Sequence, residues 1–347
     1  MRICVVTPFD EPNPGAFLQA YALKRVLESA GHEVVHLQLR SDKVVRRQYY
    51  RNRPSRYALI RPSEFVKQQR FQRQKYRLYR RDQQVFTEVT VQDARAADVV
   101  VLGSDEIWNV RNPIFRNPAY FGHGFGRVVA YAPSIGRAVP RDYRGYTALV
   151  RGIGQMSCVM ARDRATAQYV ESLTSCRPPL VLDPTLLHEW TEPLPRLDDE
   201  FVDGNRYLAI YSYSSRLLPV DELKIFAQSR GLKLVSFGFL ANWCDHSVNC
   251  SPLEFLDAMK RADYVFTTTF HGTIAAILGR RRFLTIPAVQ KTEDLLERLH
   301  LEKRTYRGDL GAAIEEDIDY QLVLNAIEEQ RSASLSLLER ALATPCR

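Results

Sequence analysis

The sequence predicts an α/β chain made of two Rossmann-like domains, and three observations carry that prediction. At 347 residues the chain is long for one hydrophobic core and fits two domains of roughly 150 residues each. It opens with a β-loop-α-β pattern. Residues 262–286, ADYVFTTTFHGTIAAILGRRRFLTI, read as a second compact β-turn-α-β unit. Between these, short apolar strands repeatedly end in polar loops, as expected of parallel sheets that share a ligand edge.

Taken in order, residues 2–7 form the first strand and residues 8–15 a proline-rich loop. Phe17, Ala20, Tyr21, Leu23, Val26 and Leu27 recur at helical spacing until Gly31 stops the helix, and residues 33–39 form the second strand. The loop lacks GxGxxG, so it predicts no dinucleotide site, although Asn13 and Gly15 stand where a substrate is approached. Further strands are expected at 96–102, 127–132, 158–160 and 179–182. The first of them ends in Gly103-Ser104-Asp105-Glu106, delivering a hydroxyl and a carboxylate to the sheet edge. Asp105 equally fits a turn cap, and Trp108 a core plug.

Residues 1–185 are read as the first domain and 186–205 as a linker rich in proline and acids. Residues 206–312 form the second domain, and 313–347 carry a helix expected to pack back on the first. The second domain restarts with a strand at 206–213, followed by a helix at 221–230, a strand at 232–237 and a helix at 252–261. Then comes the 262–286 unit, whose turn holds Phe270-His271-Gly272. An imidazole there sits beside a predicted helix start at Thr273, whose amides with those of Ile274 form an anion site. His271 also fits a turn residue that satisfies its own hydrogen bonds.

Apolar residues make up 45% and charged residues 25% of the chain, ordinary values for a folded protein. The start has no signal-peptide pattern and no apolar run reaches membrane-span length, so the cytoplasm is expected. The six cysteines show no CxxC spacing and read as reduced thiols. Cys244, His246 and Cys250 lack a fourth ligand and make a weak case for zinc. The net charge of +8 is uneven: residues 40–81 carry +13, leaving −5 for the rest. Within the basic insert 42–84, residues 57–62 form a break. After it Phe65, Phe71, Tyr76, Leu78 and Tyr79 interleave with Arg and Lys on a helix opened by Ser63. A solvated face, a membrane-surface segment and a nucleic-acid patch compete. The absence of a nucleic-acid motif sets the last aside.

These motifs resemble the polysaccharide pyruvyl transferase family. The resemblance rests on NPGA at 13–16 running into LQAYALKRVLESAGHEV, GSDEIWN at 103–109, YAPSIG at 131–136, Arg162-Asp163, DPT at 183–185 and TFHGT at 269–273. The ordered set covers roughly residues 1–290. It implies two Rossmann-like domains facing a cleft, similar to GT-B glycosyltransferases. It also implies transfer of a pyruvyl group from phosphoenolpyruvate to a sugar as a ketal, with no cofactor and no metal. His271 and Asp105 are then the catalytic pair. Arg162, Arg137, Thr269, Gly272 and Thr273 are expected at the donor, and Asn13, Gly15, Ser104, Trp108, Asn109 and Ser134 at the acceptor. Glu106 stands where Gln is frequent, and Thr269 where Ser or Arg is. The implied acceptor is a lipid-linked or nucleotide-linked sugar, with anionic membrane as a peripheral partner of the insert. A nucleotide-sugar glycosyltransferase is the alternative enzyme reading, and a non-catalytic binding protein the alternative of another class.

Overall fold

The computed structural model describes residues 1–49 and 62–344. Residues 57–61 of the expected break, and Cys346, lie outside the described residues. Two wholly parallel sheets form the frame. The first has six strands in the order β3-β2-β1-β4-β5-β6: β1 (Arg2–Val6), β2 (Glu33–Leu37), β3 (Glu88–Val89), β4 (Val99–Leu102), β5 (Val128–Tyr131) and β6 (Cys158–Met160). The second has five in the order β11-β10-β7-β8-β9: β7 (Tyr207–Tyr211), β8 (Lys233–Phe237), β9 (His246–Val248), β10 (Tyr264–Thr267) and β11 (Arg282–Thr285). Central strands such as VVVL in β4 and YVFT in β10 are buried along their whole length, as helices on both faces of a parallel sheet require.

The helices used below are α1 (Pro14–Ser29), α2 (Asp42–Tyr49), α3 (Pro62–Asp82), α4 (Arg164–Thr174), α5 (Val220–Ser229), α6 (Pro252–Arg261), α7 (Phe270–Leu278), α8 (Gln290–Arg298) and α9 (Tyr320–Ala343). Asn13 caps α1 by accepting from Ala16 N at 2.8 Å, with Pro14 at the first helical position. Phe17, Leu18 and Ala20 of α1 then pack with Leu256, Ile274 and Phe255, so one buried apolar cluster joins the two sheets' halves. Helix α9 starts against that cluster through Val323 and Ile327. It ends on the first sheet, where Leu338 and Leu342 meet Ile3, Val5 and Val99. There Arg127 Nη2 donates to the last-turn carbonyls of Ala341 and Leu342 at 2.7 and 2.8 Å, a cation placed at the negative helix end.

Three local outcomes differ from the spacing. Residues 179–182 form only an isolated bridge, Ala161 with Leu180, because consecutive prolines at 178 and 179 remove ladder donors. The short strands β3 and β9 have too few alternating residues to stand out in sequence. The insert helix α3 turns one face inward onto the second half. Phe71 and Tyr79 are buried, Lys75 Nζ donates to Gly238 O at 2.9 Å and lies 4.5 Å from the Phe239 ring centre, and Asn249 Nδ2 donates to Phe71 O at 2.6 Å. Among the described residues no helix is long and apolar enough to cross a membrane.

Candidate active site

Each sheet reverses its direction of growth at one point, between β1 and β4 in the first and between β7 and β10 in the second. Loops leaving the carboxyl ends of strands at such points diverge and leave a crevice. Here the two crevices face one another and enclose a cavity of about 550 Å³. Glu11, Asn13 and Asp105 line it from the first half, and Tyr213, Thr268 and His271 from the second.

His271 is positioned by a chain of threonines. Thr267 Oγ1 donates to Tyr211 O at 2.7 Å and accepts from Thr269 N at 3.1 Å, and Thr269 Oγ1 accepts from Gly272 N at 3.0 Å. That last bond makes Thr269 the cap of α7, so the helix opens at Phe270 and not at Thr273 as the spacing predicts. Thr273 N already donates to Thr269 O at 3.1 Å. The amides that open the helix are those of Phe270 and His271. Gly272 is required by contact: a Cβ there would lie 2.2 Å from Thr267 Oγ1.

The imidazole is wedged between the halves. A Cβ on Gly15 of α1 would lie 2.2 Å from His271 Nδ1, so glycine lets the first half approach the ring. On the opposite edge Nε2 is buried without a hydrogen bond, 3.6 Å from Asp183 Oδ2. Asp183 also accepts from Arg162 Nη1 at 2.8 Å, and Arg162 Nη2 reaches Asp105 Oδ1 at 3.4 Å, while the guanidinium lies 5.1 Å from the Phe270 ring centre. Burial alone would raise the Asp183 carboxyl, but the neighbouring His271 and Arg162 charges outweigh it and hold it well below the usual carboxylate range.

A carboxyl-rich wall faces this group. Glu106 pairs with Lys291 Nζ at 2.8 Å and accepts from Asn109 Nδ2 at 2.9 Å. Burial pushes Glu106 up, yet the Lys291 pair prevails and brings it down to about 2. Gly136, at φ 58°, leaves the room: a Cβ there would lie 2.3 Å from Glu106 Oε2. Glu11 goes the other way. Burial, reinforced by the charges of Asp105 and Glu106, pushes it up to about 8, although Arg40 Nη1 lies 3.3 Å from Oε1 and Asn13 Nδ2 donates to Oε2 at 3.2 Å. A neutral and an ionised carboxyl therefore share one wall at neutral pH, an arrangement that separates acid from base roles.

Of the residues singled out in sequence, Asn13, Asp105, Arg137, Thr269 and His271 line the cavity. The others stand behind it. Ser104 Oγ donates to Gln19 Oε1 at 2.6 Å, Ser134 Oγ to Asp163 Oδ2 at 2.6 Å, and the fully buried Trp108 donates from Nε1 to Tyr120 O at 2.9 Å. Gly15, Asn109, Arg162, Gly272 and Thr273 support the lining groups by the contacts above. Glu11, Lys291, Tyr213 and Phe270 also line the cavity. Their signal was positional, since each follows the carboxyl end of a strand. Cys244, His246 and Cys250 do not converge: His246 Nε2 sits 3.2 Å from Asp199 Oδ2 and Cys250 is in the apolar cluster. Among the described residues no group of three metal-ligating side chains forms.

A model of the polysaccharide pyruvyl transferase family matches residues 13–287. No curated protein matches the sequence. Among solved structures, the chain is similar to UDP-GlcNAc 2-epimerase from Neisseria meningitidis bound to UDP-GlcNAc, with a TM-score of 0.50, 10% identity and 99% of each chain covered. It is also similar to the S. aureus MnaA–UDP co-structure, with a TM-score of 0.50, 12% identity, and 96% of this chain and 90% of that chain covered. The glycosyltransferase SnogD from Streptomyces nogalater aligns at a TM-score of 0.46 and 14% identity, covering 98% and 99%. For the two structures at a TM-score of 0.50 the likeness is one of fold, two parallel α/β halves of the GT-B kind.

Proposed function

The chain belongs to the polysaccharide pyruvyl transferase family, and we propose that it moves a pyruvyl group from phosphoenolpyruvate onto two hydroxyls of a lipid-linked or nucleotide-linked sugar. The observation that carries this reading is the wedged His271, with Asp183 behind Nε2 and the carboxyl wall in front. Protonating the methylene carbon of the enol phosphate makes it a methyl group and leaves an oxocarbenium-like centre. One sugar hydroxyl adds there and gives its proton to a base. The C–O bond to phosphate breaks, and the second hydroxyl closes the cyclic ketal with loss of its proton.

His271 supplies the first proton, with Asp183 Oδ2 standing 3.6 Å from Nε2. Asp105 accepts the hydroxyl proton and is held in place by Arg162. Glu11, still protonated at neutral pH, protonates the leaving phosphate. Arg137 and Lys291, with the α7 amides, receive the donor's carboxylate and phosphate charges. Arg162 acts indirectly, since both its terminal nitrogens are committed to carboxylates.

Donor binding tests this assignment without knowledge of the acceptor. Phosphoenolpyruvate is expected to raise the melting temperature of the wild type, and Arg137→Ala with Lys291→Met to abolish that rise. A rise with UDP and none with phosphoenolpyruvate would replace the reading by a nucleotide-sugar transferase.

A further inference from the structure

Helix α3 has two faces of different kinds. Phe71, Lys75, Tyr79 and Asp82 turn inward and are buried. Lys67, Arg70, Arg73 and Arg77 fall within about one third of the helix circumference at 3.6 residues per turn, and all four are exposed. Val66, 46% exposed, sits among them. None of the four has a carboxylate within 4.0 Å among the described residues. Elsewhere on the insert, Arg80 pairs with Asp42 and Glu88, and Arg81 with Glu254. On α3, the exposed cations without a carboxylate partner among the described residues thus share one outward stripe.

We propose that this outer face of α3 docks the protein on an anionic lipid bilayer. The complementarity is electrostatic, and the exposed valine amid the cations matches the apolar element of interfacial helices. Nothing on the stripe reads bases, since no aromatic side chain interleaves with its cations. The inner side of the same helix supplies Gln68 and Gln72 to a hydroxyl-lined cavity of about 530 Å³, which shares Tyr213 and Ser214 with the candidate active site. Docking therefore sets the bilayer about one helix diameter, ~10–12 Å, from an annex of that site. This geometry suits an acceptor carried on a lipid, though the docking itself does not depend on the donor.

Co-sedimentation of the full chain with vesicles decides the matter. Binding is expected to vesicles one third phosphatidylglycerol, to be absent with pure phosphatidylcholine, and to fall as salt rises from about 0.1 to about 0.5 M. The triple variant Arg70→Glu, Arg73→Glu, Arg77→Glu should lower partitioning by roughly 100-fold or more. The same charge change at the exposed Arg141, Arg144 and Arg151 should lower it far less. Circular dichroism confirms that both variants fold. Equal loss in the two variants would reduce the effect to net charge and overturn the proposal. So would unchanged binding in the α3 variant, or capture of an oligonucleotide without capture of anionic vesicles.

Discussion

Replacing Gly15 with alanine probes the contact that holds the His271 imidazole. The added Cβ would lie 2.2 Å from His271 Nδ1, 2.4 Å from Cγ and 2.8 Å from the histidine's own Cβ. Restoring ordinary contact requires the ring to retreat by about 1.2 Å, yet Asp183 stands 3.6 Å behind it. Overpacking of this kind costs about 1–3 kcal/mol, while Gly→Ala within a helix returns roughly 0.5–1 kcal/mol. The substitution should therefore destabilise the wild type by up to about 2 kcal/mol and the His271→Ala background clearly less, because there only the 2.8 Å contact with the residue-271 Cβ remains. Urea denaturation of the four proteins measures that cycle. Activity should fall about 100-fold, as a displacement near 1 Å of a reacting group produces. An effect of the same sign and size in both backgrounds would show that Gly15 does not support His271, and the site as described would fail.

Three further outcomes follow from the electrostatics. Asp183→Asn leaves Arg162 buried without its closest carboxylate and should cost about 3–5 kcal/mol at neutral pH. Because the folded carboxyl is depressed, that gap should persist above about pH 4 and narrow only as pH falls further, which acid-range denaturation curves would reveal. Lys291→Met strands Glu106 and should destabilise by a similar amount, whereas adding Glu106→Gln should recover most of the loss. Glu11, pushed up to about 8, remains neutral in the folded protein while it ionises in the unfolded chain. Glu11→Gln should therefore stabilise the protein by an amount that grows roughly 1 kcal/mol per pH unit between about pH 5 and 7. The same substitution should remove the alkaline fall in turnover expected near pH 8.

The frame was readable because parallel strands buried on both faces leave unbroken apolar runs, and Gly31 marks the end of α1; the caps at Asn13 and at Ser251 before α6 emerged only with the fold. Asp105 and His271 were readable for a related reason, since the polar residue that ends such a run must lie at the sheet's carboxyl edge. What escaped depends on distance in space. Asp183 was visible only as part of the DPT motif and Lys291 not at all, until the fold sets one behind His271 and the other against Glu106. Gly15 looked like a residue that approaches substrate, whereas the fold uses it to admit the imidazole. The helix start at Thr273 was misplaced because the cap at Thr269 is itself a threonine among threonines, with no change of composition to mark it. The insert's charge was plain in sequence. Its division into a buried face anchored by Lys75 and an outward basic face required the second half to be in place.

Phosphate release from phosphoenolpyruvate, measured with a panel of lipid-linked and nucleotide-linked sugars, decides whether the chain transfers pyruvyl groups through His271. Release should depend on one class of acceptor and fall at least about 100-fold in His271→Ala. Release that His271→Ala leaves intact would contradict this assignment, as would silence with every acceptor when phosphoenolpyruvate also fails to shift the melting temperature.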